Sequence, residues 1–223
     1  MWPSGVLDRG SRSTRTAERK IRALDLFSGI GGFALALRKV ATTVAFCDND
    51  SAATRIRKRH FPGVAVFHDV KTLHAQDVGQ VDLVTAGFPC QDVSVAGQRK
   101  GLGGGERSVL YKEVIRLLRE FRAPPSYVLL ENVKGITNDP DYNSLLGMLD
   151  SADYDCAWGH YAARHCGGLH VRHRWFLLGM RRQPAPVALD GCMIADLELQ
   201  RLVEKSPFEF VKSQSAILPA RRE

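Results

Sequence analysis

Ile21-Arg22-Ala23-Leu24-Asp25-Leu26-Phe27-Ser28-Gly29-Ile30-Gly31-Gly32-Phe33 is the stretch on which the fold turns. Residues 21–27 form a short, mostly apolar run of the kind a buried strand requires. Three glycines among the next five residues then turn the chain, since glycine accepts positive φ and lets backbone approach a ligand closely. A helical pattern follows over 33–40. Strand, glycine turn and helix together open a parallel α/β sheet whose ligand sits at the turn.

The same alternation continues outward. Residues 43–47 read as a second strand ending in Asp48, and 51–60 as a helix. A third strand over 64–67 leads to Asp69, and a fourth over 81–86 leads into a glycine-rich loop, 87–105. A helix over 108–121, a fifth strand over 127–130 and a helix containing 145–149 come next. Strands over 155–162 and 174–180 close the series. Strands alternating with helices at this pitch predict an α/β fold with a mostly parallel, doubly wound sheet covered on both faces. Ligands in such sheets lie beyond the carboxyl ends of the strands. Those ends are Ser28-Gly29, Asp48, Asp69, Pro89-Cys90-Gln91 and Glu131-Asn132, all polar or glycine-bearing.

Composition narrows the functional classes. The 223 residues are 44% hydrophobic and 25% charged, which excludes a wholly disordered or collagen-like chain. The 5 cysteines are an odd number and scattered, so they suit a reducing compartment better than a disulfide framework. No apolar run approaches the roughly 18 residues of a membrane span. A net charge of +7 favours a polyanionic partner. Residues 1–20 are rich in Arg, Ser, Thr and Gly and read as a basic, disordered arm without a secretory h-region.

Each strand end suggests its own chemistry. Asp48 follows Gly29 by 19 positions, where a carboxylate can accept from ribose hydroxyls. That pair suits a nicotinamide dinucleotide, a nucleotide sugar or an adenosyl cofactor, and the departure from G-x-G-x-x-G points away from a pyrophosphate. Asp69 suits an adenine amino group. Cys90, flanked by proline in a loop at the ligand edge, reads as an exposed thiol able to attack an electron-poor carbon. Glu131 follows four core residues; partial desolvation raises its pKa and lets it hold a proton. Between Arg164 and Arg182 there are five arginines, three histidines and no acid. Period-2 spacing puts Arg172 and Arg174 on one face, suited to phosphate or base contacts. Cys166, His170 and His173 do not complete a zinc-like ligand set, so no metal is expected.

Together these residues resemble the DNA cytosine-5 methyltransferases, from Leu24 to about Met180. Asp25 to Phe33 is similar to that family's cofactor loop, which implies roles for Phe27, Gly29, Gly31 and Gly32 around the methionine moiety of S-adenosyl-L-methionine. Asp48 stands where the family usually has Glu for the ribose, Asn49 at the adjoining adenine contact, and Asp69 at the adenine amino position. Pro89 and Leu110 fall in elements that border the cofactor. Gly87-Phe88-Pro89-Cys90-Gln91, running on through Ser94 to Ala96-Gly97, resembles the catalytic loop with Cys90 as nucleophile. Arg107-Ser108-Val109-Leu110 resembles the R-G-x-L element, with Ser for Gly. Glu131-Asn132-Val133, 41 residues after Cys90, matches the catalytic Glu-Asn-Val. His170-Val171-Arg172-His173-Arg174 resembles Q-x-R-x-R with His for Gln.

The resemblance implies a class I, Rossmann-like S-adenosyl-L-methionine-dependent methyltransferase of phage, viral or bacterial restriction-modification style. It implies Cys90, Glu131, Arg172 and Arg174 as catalytic residues and Gln91, Ser94, Arg99 and Asn132 as substrate contacts. DNA is the expected partner, with RNA as the alternative, in the cytoplasm or in the nucleus of a eukaryotic source. The expected organisation is the arm at 1–20, a catalytic domain at 21–182 and a short tail at 183–223. The family continues into a target-recognition domain and a terminal Gly-Asn motif, and the 41 residues of the tail hold neither. A second chain supplying recognition, or a non-catalytic binding relative, is therefore the competing expectation.

Overall fold

A computed structural model describes residues 20–89 and 110–182. In it, β1 (Ile21–Leu26), β2 (Ala41–Cys47), β3 (Ala65–Phe67), β4 (Leu83–Ala86), β5 (Tyr127–Val133), β6 (Tyr154–Ala162) and β7 (His173–Arg181) form one sheet. Five helices, α1 (Gly32–Ala36), α2 (Ser51–His60), α3 (Ala75–Val78), α4 (Leu110–Glu120) and α5 (Tyr142–Asp150), connect or cover it. The strand order is β3-β2-β1-β4-β5-β7-β6. The pairs from β3 to β5 are parallel, whereas β7 runs antiparallel to both β5 and β6. The order reverses between β1 and β4, so a crevice opens at their carboxyl ends, where the glycine loop and Gly87-Phe88-Pro89 emerge.

The larger core lies on one face of the sheet. Leu24, Leu26, Val84, Ala86, Val128 and Leu130 meet Val114, Ile115, Leu117 and Leu118 of α4 there, with Leu145 and Leu149 of α5. The apolar positions of α4 recur at three- and four-residue intervals, so one stripe faces the sheet and Lys112 and Arg119 face outward. A smaller cluster on Ile21, Ala23, Ala41, Leu83 and Tyr127 fills the opposite face. At the start of α2 the Asp50 carboxylate accepts from Ala52 N and Ala53 N at 2.7 and 3.1 Å. Those two bonds hold its carboxyl below the usual range.

Three elements differ from expectation. The helix expected over 33–40 ends at Ala36. Val40 N and Ala41 N then both donate to Leu37 O, a tight turn that delivers Ala41 opposite Ile21 for parallel pairing. α3 was not foreseen; a capping box between His74 and Asp77 builds it. The fifth strand, expected to stop at Leu130, continues to Val133 because β7 pairs with it throughout. No helix among the described residues is long and apolar enough to cross a membrane.

Candidate active site

The loop after β1 is tightly wound. Phe27, Gly29 and Gly31 have φ of 52, 50 and 92°, three left-handed residues at alternate positions. For Phe27 this conformation is costly and must be held by its surroundings. Gly31 has a second reason to lack a side chain, since a Cβ there would lie 2.6 Å from the Phe61 ring. Ser28 N donates to Cys47 O at 3.4 Å, and Gly29 N donates to Asp48 Oδ2 at 2.8 Å. The other oxygen of Asp48 accepts from Asp50 N at 2.8 Å. Asp48 thus ties the glycine loop to the start of α2, and the remaining lone pairs of its oxygens can still take a ligand's hydroxyls.

Beside this loop is a cavity of about 530 Å³, lined by Phe27, Asp48, Asn49, Asp69, Pro89 and Leu110. Those six are among the nine positions the sequence assigned to the cofactor. Gly29, Gly31 and Gly32 shape the loop behind Phe27 and do not line the cavity. Cys47, His68, Val70 and Lys71 also line it and were not foreseen. All four adjoin the acids at the carboxyl ends of β2 and β3, so strand-end position is the sequence signal that marks them. Asp69 Oδ1 accepts from Lys71 N at 2.9 Å, which turns the chain at the far rim. Burial pushes the Cys47 thiol up to about 12, so it serves as an inert wall. The volume lies within the range of small-molecule sites. Carboxylates for ribose and amino groups, set among apolar surfaces for a base, fit an adenosyl ligand.

A second constellation lies across Gly87. Glu131 and Val133 point to one face of β5, and the register places Arg174 opposite Val133 on that face. Arg174 Nε lies 2.7 Å from Glu131 Oε1, both side chains about a quarter exposed. Burial raises the Glu131 pKa; the charges of Arg174 and Arg172 and the Arg174 hydrogen bond pull it down without cancelling the rise. A Cβ on Gly87 would lie 3.3 Å from Glu131 Oε2, with Phe33 and the Phe27 carbonyl close behind. The absent side chain is what lets the acid stand next to the loop after β1. Arg172 is exposed just before β7; its carbonyl accepts from Ala163 N at 2.9 Å, and its charge acts on Glu131 as that of Arg174 does.

Asn132, expected at the substrate, is 2% exposed. Its Nδ2 donates to Phe88 O at 3.1 Å and its Oδ1 accepts from Val133 N at 2.8 Å. It therefore anchors the backbone leading into Pro89. Cys90, Gln91, Ser94 and Arg99 lie outside the described residues. Among the described residues, Cys166, His170 and His173 belong to no metal-ligating cluster. Asp25, 1% exposed inside β1, is a further group that the sequence pattern did not single out. Its Oδ1 accepts from Thr85 Oγ1 at 2.7 Å, and burial raises its pKa to about 7. An acid within the apolar run 21–27 was the visible signal.

Comparison with known proteins bears on this geometry. The sequence model of the family described as C-5 cytosine-specific DNA methylase matches residues 21–219. The type II methyltransferase M.CviJI of Paramecium bursaria Chlorella virus IL3A is 36% identical over 166 residues, 74% of this chain and 44% of that protein. Type II methyltransferase M2.BsuMI of Bacillus subtilis is 35% identical over 164 residues, 71% of this chain and 41% of its own length. The chain thus spans less than half the length of these two relatives. Among solved structures, the S. pombe Dnmt2 methyltransferase superposes with a TM-score of 0.63 at 26% identity, covering 78% of this chain and 55% of that one.

Proposed function

The chain belongs to the C-5 cytosine-specific DNA methylase family, and from that premise we propose that it methylates carbon 5 of cytosine in DNA through a covalent cysteine adduct. The methyl donor of this family is S-adenosyl-L-methionine. When bound, it supplies an electrophilic methyl group. Phe27, Asp48, Asn49, Asp69, Pro89 and Leu110 would hold it, with Gly29, Gly31 and Gly32 shaping the loop behind.

The observation that carries the reading is the Glu131–Arg174 pair, standing across Gly87 from the cofactor loop. Cytosine is unreactive at carbon 5 until a nucleophile adds at carbon 6. The thiolate of Cys90 makes that bond, and Glu131 gives a proton to ring N3 so that the ring accepts the electron pair. With Oε1 engaged by Arg174, Oε2 is the oxygen left to carry the proton. Arg174, with Arg172 nearby, holds the exocyclic oxygen as charge develops. Addition of Cys90 would make carbon 5 nucleophilic toward the donor's methyl group, the thioether being the leaving group; loss of the carbon-5 proton to a solvent base would then return the electron pair that expels Cys90. The base must leave the duplex to reach these groups. Gln91, Ser94 and Arg99 contact the extruded nucleotide, and Asn132 acts behind them through the Phe88 carbonyl.

Methyl-labelled cofactor offered with DNA and, separately, with RNA tests this function. Label in DNA that disappears in Cys90→Ala is the expected outcome. Label in RNA alone would move the substrate to RNA, and transfer to neither polymer by a chain that binds the cofactor would make it a binding relative.

A further inference from the structure

α2 carries a charge where an apolar side chain would fill the space more cheaply. Arg57 is 0% exposed. Its Nη1 donates to Gly29 O, its Nη2 donates to Thr54 Oγ1 at 2.8 Å, and its Cζ lies 5.6 Å from the centroid of the Phe46 ring. Its Nε finds no hydrogen-bond partner among the described residues. A buried guanidinium carries a large desolvation penalty, and replacing buried charges by apolar groups of similar volume is often neutral or stabilising. Packing alone therefore does not account for an arginine here.

Its neighbours give the account. Gly29 is held from two sides, its N–H by the Asp48 carboxylate and its C=O by Arg57. The peptide joining Gly29 to Ile30 is planar and trans, so a carbonyl drawn inward to Arg57 turns the Ile30 N–H the opposite way. One turn further along the chain, Phe61 fills the space beside Gly31. The end of α2 thus buttresses the left-handed positions 29 and 31.

We propose that Arg57 is a positioning residue for the cofactor, setting its affinity by locking the glycine loop through the Gly29 carbonyl without touching the reacting atoms. This rests on reading the adjoining cavity as the adenosyl site. The test uses the full chain as Arg57→Met, Arg57→Lys and Thr54→Val, with S-adenosyl-L-homocysteine titrated calorimetrically and unfolding followed without ligand. Arg57→Met should weaken binding about tenfold, the weight of one charge-assisted hydrogen bond, and Arg57→Lys should recover part of the loss. KM for the methyl donor should rise in parallel, with kcat at saturation retained. Unchanged affinity in a folded Arg57→Met protein overturns the proposal, as does a fall in kcat at constant KM. If Arg57→Met does not fold, Thr54→Val decides: untying one end of the guanidinium should weaken binding about threefold, and no change overturns the proposal. Failure of the unaltered chain to bind this ligand would instead overturn the reading of the cavity, and the proposal with it.

Discussion

Replacing Asp25 by Asn should make the protein's stability less sensitive to pH in a defined window. Asp25 lies inside β1 at 1% exposure, and burial raises its pKa from 3.8 to about 7 against the opposing Thr85 hydrogen bond and Arg57 charge. The unfolded chain therefore releases this proton near pH 4 and the folded chain only near pH 7. Between those values the folded state binds the extra proton, so stability is full below about pH 4 and declines as pH rises toward 7. The whole decline is on the order of 4 kcal/mol, of which roughly 2 to 3 kcal/mol falls between pH 5 and pH 8. Asn keeps an acceptor for the Thr85 hydroxyl and never ionises. Urea unfolding of both proteins at pH 5 and pH 8 gives the difference directly, because other titrating groups are common to the two. The Asn variant should gain on the original by about 2 kcal/mol on going to pH 8, several degrees in Tm for a chain of this size. A pH-independent difference between the two proteins would refute the reasoning and show that Asp25 ionises in the folded state as readily as in the unfolded one.

Other predictions concern the acid and its frame. Arg174→Ala leaves Glu131 subject to burial without the attached positive charge, so its carboxyl should rise further. As the proposed proton donor it would work below its pKa, so the alkaline limb of the single-turnover pH profile should move to higher pH, with a rate loss of roughly a hundredfold. A limb that stays in place contradicts the pairing. Gly87→Ala puts a methyl group against Glu131 Oε2 at 3.3 Å; transfer should slow about tenfold with a stability loss near 1 kcal/mol, measured by single turnover and by thermal unfolding. Asn132→Ala removes the hold on the Phe88 carbonyl and leaves Val133 N without its side-chain acceptor; it should cost about 1 to 3 kcal/mol in urea unfolding and lower transfer while sparing cofactor affinity.

Much of this architecture is legible in the chain. The run 21–27 and its glycine turn, the acids at 48 and 69 and the helix over 51–60 all arise from local chemistry: apolar continuity, glycine freedom and an aspartate cap. What escaped reading depends on partners distant in sequence. The extension of β5 to Val133 is imposed by β7, more than forty residues later, and it turns Glu131 from a loop residue into one whose direction the sheet sets. Arg172 lies just before β7, and its charge acts on Glu131 beside that of Arg174. The second duty of Asp48, bonding Gly29 N and Asp50 N, is invisible in a spacing of 19 residues. Arg57 shares its helix with the exposed cations Arg55, Lys58 and Arg59, and only packing against Phe46 and Gly29 separates it from them.

The proposed mechanism depends on Glu131 donating the proton that activates cytosine beside the glycine loop. Single-turnover transfer of a labelled methyl group to cytosine-containing DNA, comparing the original chain with Glu131→Gln, tests it most directly. A rate lower by about 10² to 10⁴ with unchanged affinity for S-adenosyl-L-homocysteine is the predicted result. Equal single-turnover rates for the two proteins would contradict it.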